Sequence, residues 1–297
     1  MRCQLCKKKA VISNPRLCKE HFIKYYEKKF KQNLEKLKIK GKKILVAVSG
    51  GKDSSVLAYL LHKNKDIFNI ELLLFYINLG IKNYSDKGLN AVKKLSELLN
   101  EPLKVYDLKA LHGYSIDDFH YKPCSYCGVI KRYIINKIAF ENRFDYIAIG
   151  HNLDDELFFI MNNLMNQDLH QLSRIGMKTE TIKEFKLIGR IKPLYYFTEK
   201  ENMLYAILKK IPFDNTECPH AKNSTQLQFK QNFNFSREKK LSLVKAFNKI
   251  KKYLPKEDIK LNLCERCGYA TTSKICKFCR IDEMMKLKIK MNHEVKK

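Results

Sequence analysis

The chain has 297 residues, which suits one large domain with small appendages. Its 58 Lys and Arg residues outnumber 31 Asp and Glu residues, and the formal net charge of +27 favours a polyanionic partner such as nucleic acid. Hydrophobic residues make up 45% of the chain, which excludes global disorder, and the longest apolar runs, such as 72–77, are far shorter than the ~20 residues of a membrane span.

Apolar runs alternate with helical patterns along most of the chain. After a basic amphipathic helix over 25–40, the sequence predicts strands at 43–49, 70–77, 103–108, 144–150 and 185–191. Helices are predicted at 54–64, 85–99 with Ser85 as its N-cap, 127–142, 153–165, 199–210 and 236–253. Near-continuous apolar strands that alternate with helices are typical of an α/β fold with a doubly wound parallel sheet.

The ten cysteines favour metal binding or catalysis over disulfides, because no targeting segment is visible and we expect a reducing, cytoplasmic location. Cysteine and histidine pairs at both ends have the spacing of tetrahedral zinc sites. We therefore expect two Zn²⁺-binding modules, at 1–24 and 256–297, around a catalytic domain at 25–255. The expected ligands are Cys3, Cys6, Cys18 and His21 at one end and Cys264, Cys267, Cys276 and Cys279 at the other.

The hexapeptide between the first predicted strand and the next helix has the features of a phosphate-binding loop. Its two glycines allow a tight turn close to a phosphate, and amides at a helix N-terminus favour an anion. The serines can donate hydrogen bonds, Lys52 can neutralise phosphate charge, and Asp53 can hold Mg²⁺. A Walker A loop is excluded, because Val46 stands where its first glycine would be and Asp53 follows the lysine. The hexapeptide is Ser49, Gly50, Gly51, Lys52, Asp53 and Ser54.

Three cysteines remain once the terminal sets are assigned, namely Cys124, Cys127 and Cys218. The first two follow Pro123 and open a predicted helix, where the thiolate form is favoured. Three thiolates suit a [4Fe–4S] cluster with one iron that lacks a protein ligand. A persulfide carrier with a resolving cysteine is an alternative. Three unrelated cysteines are the other interpretation that these residues leave open.

Five motifs occur in the order seen in a known family. The loop alone resembles the ATP-pyrophosphatase, or PP-loop, superfamily, whose members cleave ATP between the α- and β-phosphates. The full set resembles the tRNA 2-thiouridine and 2-thiocytidine synthetases. The terminal zinc patterns resemble the uridine-thiolating branch found in thermophilic bacteria, archaea and the eukaryotic cytosol. The motifs are SGGKDS at 49–54, CSYCG at 124–128, GHNLDDE at 150–156, RIKPL at 190–194 and Cys218-Pro219.

The resemblance implies a five-stranded doubly wound sheet with zinc ribbons, in a homodimer. It implies that the three middle cysteines hold the [4Fe–4S] cluster and that ATP lies over the loop, with Asp53 near the metal and the phosphates. Lys131 and Asp155 match catalytic positions of the family. Gly150 and Tyr76 match nucleotide contacts, although the family often has His-x-Asp where this chain has Tyr76 and Asn78, which favours a backbone contact here.

The reaction implied by the resemblance is ATP-dependent 2-thiolation of tRNA. The C2 oxygen of a uridine attacks the α-phosphate of ATP, pyrophosphate leaves, and sulfur delivered through the cluster replaces the adenylated oxygen. The sulfur donor is a thiocarboxylated ubiquitin-like protein or sulfide. The alternatives are thiolation through a cysteine persulfide, a PP-loop synthetase that amidates another acceptor, and a non-enzymatic zinc protein that binds RNA. The sequence leaves the modified tRNA position undecided.

Overall fold

The computed structural model describes residues 1–221, 224–233, 235–255 and 260–294. Its strands are β1 (Ile12–Ser13), β2 (Arg16–Leu17), β3 (Lys43–Ala47), β4 (Glu71–Asn78), β5 (Leu103–Asp107), β6 (Tyr146–Ala148), β7 (Gly189–Ile191), β8 (Asn262–Leu263) and β9 (Ala270–Thr271). Its helices are α1 (Lys19–Leu37), α2 (Lys52–Lys63), α3 (Lys65–Phe68), α4 (Ser85–Leu99), α5 (Leu108–His112), α6 (Pro123–Glu141), α7 (Leu153–Met165), α8 (Leu169–Arg174), α9 (Glu199–Lys209), α10 (Thr225–Asn232), α11 (Arg237–Ile250) and α12 (Lys277–Glu294). Among the helices described here, none is long and apolar enough to cross a membrane.

Five parallel strands form the central sheet in the order β5-β4-β3-β6-β7. The chain moves outward from β3 to β4 and β5, and then crosses to the other side of β3 to form β6 and β7. Side chains of β3 alternate between the two faces, since Ile44 and Val46 join one core cluster and Leu45 joins the other. The predicted doubly wound α/β fold is confirmed. The strand order reverses at β3, and ligands bind at such switch points beyond the carboxyl ends of the strands.

Helices cover both faces of the sheet. Residues of α1, α2, α4 and α9 fill the core on one face, and residues of α5, α6 and α12 fill it on the other. A third cluster is formed by α7, α10 and α11. This cluster positions α10 against α7, whose first turn carries one of the predicted catalytic residues.

Some element boundaries differ from the sequence prediction. Helix α6 begins at Pro123, four residues early, because proline is favoured in a first helical turn. Both cysteines of its CxxC pair therefore lie at the start of the helix. Strand β7 begins at Gly189, because Lys183–Phe185 form a 3₁₀ turn. The prediction of Ser85 as an N-cap is wrong: Tyr84 holds that position, and the Ser85 hydroxyl accepts a hydrogen bond from the preceding turn.

Lys29 of α1 is a largely buried cation near the start of α9. Its ammonium donates to the carbonyl of Tyr196 at 2.7 Å and lies 4.1 Å from the centre of the Phe197 ring. The nearest carboxylate oxygen, on Glu201, is 3.7 Å away. Burial lowers the pKa of Lys29 from 10.5 to about 8, despite the attraction of Glu201.

We expect the wild-type chain to gain stability relative to a Lys29→Met variant as the pH rises from about 8 to 10.5. In that window the unfolded state still binds a proton at Lys29 that the folded state has released, and this proton favours unfolding. Raising the pH removes that penalty, which increases the free energy of unfolding by up to about 3 kcal/mol across the window. Urea unfolding of both chains across the window measures the difference. A difference that stays constant with pH contradicts the prediction.

Candidate active site

The phosphate loop runs from the end of β3 into the first turn of α2. The hydroxyl of Ser54 lies at its centre, where it accepts a hydrogen bond from the N–H of Ser49 at 3.0 Å and donates to the carbonyl of Gly51 at 3.0 Å. The hydroxyl of Ser49 lies 3.1 Å from the same oxygen. Gly51 is the N-cap of α2 and has no side chain to cap the first-turn amides, which are therefore available to an anion.

Glycines allow the loop to touch neighbouring backbone. Gly50 has φ of 83°, and a Cβ there would lie 2.6 Å from the Cα and carbonyl oxygen of Gly88 in α4. A Cβ on Gly88 would in turn lie 3.0 Å from the carbonyl of Ser49. Gly150, beyond β6, packs in the same way, since a Cβ added there would lie 3.0 Å from the backbone nitrogen of Ser54. The loop and the GHNLDDE motif are thus in backbone contact.

We expect a Gly50→Ala variant to lose nucleotide affinity by ~10-fold or more, because the added Cβ meets fixed backbone and the positive φ is strained by about 1–3 kcal/mol. Gly41→Ala is the matched control, since Gly41 has φ of 70° but nothing within 4 Å of an added Cβ. The control should lose some stability and keep its affinity. Equal nucleotide affinity of the two variants, measured by calorimetry, would contradict the prediction.

Lys52 and Asp53 of the loop are paired with residues of α9, one of which is held by a tyrosine of α1. The ammonium of Lys52 lies 2.5 Å from Glu199 Oε1 and 3.2 Å from Asp53 Oδ2. Asp53 Oδ1 accepts a hydrogen bond from Asn202 at 2.7 Å, and Asn202 accepts one from the hydroxyl of Tyr26 at 2.6 Å. Burial raises the pKa of Asp53, and the charge of Lys52 opposes that rise. The loop carboxylate is therefore fixed by neighbours that are distant in sequence.

Asp155 lies in the first turn of α7. Its Oδ2 closes a capping box by accepting a hydrogen bond from the N–H of Asn152 at 3.0 Å. Its Oδ1 accepts one from Gln226 at 2.8 Å and lies 2.7 Å from the ammonium of Lys230. Burial alone would raise the pKa of Asp155, but Lys230 holds that pKa below its usual range. Asp155 is therefore an ionised carboxylate at neutral pH.

Sequence reasoning missed four side chains that contact the predicted site residues. One of them, Glu199, had a local signal. Thr198-x-x-Glu201 is a capping box, which places Glu199 in the first turn of a helix. The others have no recognisable motif in this sequence. The four are Glu199 and Asn202 of α9 and Gln226 and Lys230 of α10.

The three middle cysteines lie close to one another, and one of them follows a segment that contacts the loop. The segment that leads to Cys218 is tied to it by the N–H of Asp214, which donates to the carbonyl of Gly50 at 2.8 Å. The thiol of Cys124 donates to the backbone carbonyl two residues beyond Cys218, at 3.2 Å. Burial raises the pKa of Cys218, and the neighbouring thiols of Cys127 and Cys124 raise it further. Unlike the terminal sets, these three described sulfurs do not all lie within 4.8 Å of one another.

Lys131 and Tyr76 occupy different environments. Lys131 is exposed on α6, and its charge opposes the raised pKa of the Cys218 thiol. Tyr76 is buried, and its hydroxyl donates to the carbonyl of Ser85 at 2.7 Å. The Tyr76 side chain is therefore engaged with α4, and its backbone is paired with Val105 in the ladder between β4 and β5. The nucleotide contact at Tyr76 stays a prediction.

The RIKPL and GHNLDDE motifs meet through a buried ion pair. The ammonium of Lys192 lies 2.6 Å from Glu156, which is fully buried. His151 Nδ1 is 3.7 Å from the same carboxylate, and Glu156 Oε2 has no hydrogen-bond partner among the described residues. Burial and the nearby charge of Arg132 lower the pKa of Arg190 to about 10. The two motifs are therefore joined by a buried ion pair beside β6 and β7.

At the N-terminal end, the ligand atoms of four residues lie within 4.8 Å of one another. The sulfurs of Cys6 and Cys18 are 3.7 Å apart, and His21 Nδ1 lies 3.4 Å from Cys3 and 3.3 Å from Cys18. A tetrahedral zinc ion with bonds of about 2.3 Å to sulfur sets its sulfur ligands about 3.8 Å apart. The geometry therefore fits the Zn²⁺ expected from the sequence.

At the C-terminal end, four thiols crowd together in the same way, and Cys267 and Cys276 are 3.7 Å apart. Burial opposes ionisation of Cys264, but backbone amides, including that of Cys276 at 3.2 Å, hold its pKa at about 6. Burial and the charge of Cys267 raise the pKa of Cys276 to about 11. Full ionisation thus calls for a neighbouring cation, and the set of Cys264, Cys267, Cys276 and Cys279 fits Zn²⁺. The module boundary expected at 256 falls on residues 256–259, outside the described residues.

Comparison with known proteins gives consistent results. The sequence profile of the PP-loop domain matches residues 23–223. The chain is 40% identical over 294 residues to a tRNA-5-methyluridine(54) 2-sulfurtransferase of Pyrococcus horikoshii, an alignment that covers 94% of this chain and 93% of the relative. It is 30% identical to the cytoplasmic tRNA 2-thiolation protein 1 of Danio rerio, over 94% of this chain and 87% of that protein.

A solved structure is similar over nearly its whole length. It is the U34-tRNA thiolase NcsA from Methanococcus maripaludis with its [4Fe-4S] cluster, with a TM-score of 0.79, 30% identity, and coverage of 94% of this chain and 95% of that one. The chain therefore belongs to the PP-loop family, in the branch that contains these relatives. The family resemblance read from the five motifs is confirmed.

Proposed function

We propose that this protein is an ATP-dependent tRNA 2-thiolating enzyme, which adenylates the C2 oxygen of a uridine and replaces that oxygen with sulfur. The observation that carries the proposal is the junction of the phosphate loop with the cysteines, made by the Asp214–Gly50 hydrogen bond. This bond ties the segment that leads to Cys218 to the loop, which supports a shared role for the loop in ATP activation and for the cysteines in sulfur transfer. The names of the tRNA-thiolating relatives and the charge of +27 support tRNA as the acceptor.

The loop supplies the nucleotide contacts. The first-turn amides of α2 bind phosphate oxygens, the hydroxyls of Ser49 and Ser54 are within reach of the same anion, and Lys52 neutralises its charge. Asp155 is ionised and has a lowered pKa, which favours binding a Mg²⁺ ion over accepting a proton. Asp53, fixed by Asn202, is the second carboxylate that fits this role.

The cysteines and Lys131 act on the uridine of the tRNA, which accepts the sulfur. When bound by Cys124, Cys127 and Cys218, a [4Fe–4S] cluster supplies an iron with an open position for a sulfur ligand. Oxygen O2 of the uracil forms a bond to the α-phosphorus of ATP as pyrophosphate leaves. Sulfur then bonds to C2, and the C2–O2 bond breaks to release AMP. The ammonium of Lys131, beside Cys218, can stabilise the negative charge that develops in both steps.

The remaining assignments rest on the family resemblance and on residue chemistry. We propose zinc ions in the two terminal modules, at 1–24 and 256–297, a homodimer, and a cytoplasmic location like that named for the Danio rerio relative. The sulfur donor is proposed to be a thiocarboxylated ubiquitin-like protein or sulfide. An amidating synthetase is not favoured, because it has no use for three cysteines beside the loop.

The test is an anaerobic reaction of the purified protein, reconstituted with iron and sulfide, with ATP, Mg²⁺, a sulfide source and unmodified tRNA. We expect one 2-thiouridine and one AMP for each turnover, with mass spectrometry of mapped fragments giving the position. Sulfur in tRNA without AMP would exclude adenylation. AMP release with no sulfur in any tRNA would exclude thiolation.

A further inference from the structure

One carboxylate bridges two lysines at the mouth of the phosphate loop. Glu199 Oε1 lies 2.5 Å from the ammonium of Lys52, and Glu199 Oε2 lies 3.3 Å from the ammonium of Lys230. Lys52 belongs to the loop, whereas Lys230 is carried by α10. Two cations therefore meet on a single carboxylate, one on each of its oxygens, next to a lysine of the loop.

Lys230 is a partly exposed cation with two carboxylate partners. Its side chain is 22% exposed, and besides Glu199 it forms an ion pair with Asp155 Oδ1, at 2.7 Å. An ammonium held by two carboxylates near a phosphate loop can exchange one carboxylate for a phosphate oxygen without losing its charge.

Helix α10 holds this lysine in place by apolar packing. Phe229, the preceding residue, is buried, with its ring 5.5 Å from that of Phe158 in α7 and 4.2 Å from that of Phe233. Ser224 caps the helix by accepting a hydrogen bond from the N–H of Leu227. The anchor does not depend on the ammonium, so the side chain can change partners while the backbone stays fixed.

We propose that Lys230 is a second phosphate-binding residue of the site, whose ammonium exchanges Glu199 for an oxygen of the β,γ-phosphates when ATP binds. Glu199, with one oxygen on each ammonium, occupies the place that a phosphate group with two free oxygens would take between Lys52 and Lys230. The inference rests on the proposed function in one respect, namely that the loop binds ATP. It assigns Lys230 to the part of ATP that leaves as pyrophosphate.

The test is calorimetric binding of α,β-methylene-ATP with Mg²⁺, and of AMP, to the full chain. For Lys230→Gln we expect ATP-analogue binding weakened by ~10-fold or more, since a charge-assisted hydrogen bond contributes about 1.5–3 kcal/mol, with AMP binding unchanged. Lys230→Arg should recover much of the loss. The matched control is Lys240→Gln, which removes an ammonium 2.5 Å from the adjacent Asp154 and should leave both affinities within about 3-fold of wild type.

A double variant separates phosphate binding from simple neutralisation of Glu199. If Lys230 only screens that carboxylate, Lys230→Gln combined with Glu199→Gln restores wild-type affinity for the ATP analogue, which overturns the proposal. We expect the double variant to stay weak. Wild-type affinity of Lys230→Gln for the analogue also overturns it. The assay uses no tRNA and no sulfur donor, so its results do not depend on whether tRNA is the acceptor. A wild-type chain that binds no ATP analogue would overturn both this proposal and the proposed function.

Discussion

A Cys218→Ala variant will lose thiolation of tRNA by at least ~100-fold, because even the outer partners of a metal site contribute about 10–100-fold and this residue is a proposed ligand. The visible absorption of an iron–sulfur cluster will fall with the activity. Nucleotide affinity will change little, since the Cys218 side chain is absent from the contacts of Lys52, Asp53 and Asp155. The measurements are anaerobic turnover, absorption spectra and iron content of the reconstituted protein.

Ser125→Ala is the control for this variant. Ser125 lies between the two cysteines of the CxxC pair, is exposed, and makes no side-chain hydrogen bond within the described ranges. It should keep both absorption and turnover. A wild-type protein that transfers sulfur with no iron bound, and whose cysteine variants lose activity without any spectral change, would favour the persulfide alternative. Full activity of Cys218→Ala would contradict any role for this thiol.

An Asp155→Asn variant will lose AMP formation by roughly 100-fold or more, because a Mg²⁺ ion at the site contributes several kcal/mol of charge stabilisation and needs an anionic ligand. The asparagine retains the hydrogen-bonding shape of the capping box, so the start of α7 is preserved. Turnover at saturating ATP and its dependence on Mg²⁺ concentration are the measurements. Unchanged turnover across that range would contradict the assignment.

The adjacent carboxylate provides the control. Asp154 accepts a hydrogen bond from the N–H of Glu199 at 2.7 Å and lies 2.5 Å from the ammonium of Lys240, so its role is to join α7, α9 and α11. Asp154→Asn should lower the free energy of unfolding by about 1–3 kcal/mol and retain turnover below the unfolding transition. The two variants thus separate loss of chemistry from loss of stability, although the residues are neighbours in the sequence.

The sequence predicted the parts of this site that are local in the chain. The hexapeptide at 49–54 carries its glycines, its lysine and the start of a helix within a few residues. Its phosphate-binding character is therefore predicted from the local sequence alone. The terminal cysteine and histidine sets have the spacing that tetrahedral metal coordination requires. The alternation of apolar strands with helices predicted the doubly wound sheet, because parallel strands buried on both faces need that pattern.

Only the tertiary structure decided how these parts are connected. Glu199, Asn202 and Lys230 follow the loop by roughly 150 to 180 positions, and no periodicity or motif relates them to it. Their contacts arise because α9 packs against α2 and α10 packs against α7. Apolar residues such as Phe229 make this packing, and they take no part in the ion pairs beside them. The sequence by itself determined which chemical groups this protein carries. The packing determined which carboxylate meets which cation, since ion pairs form wherever the fold brings opposite charges within reach.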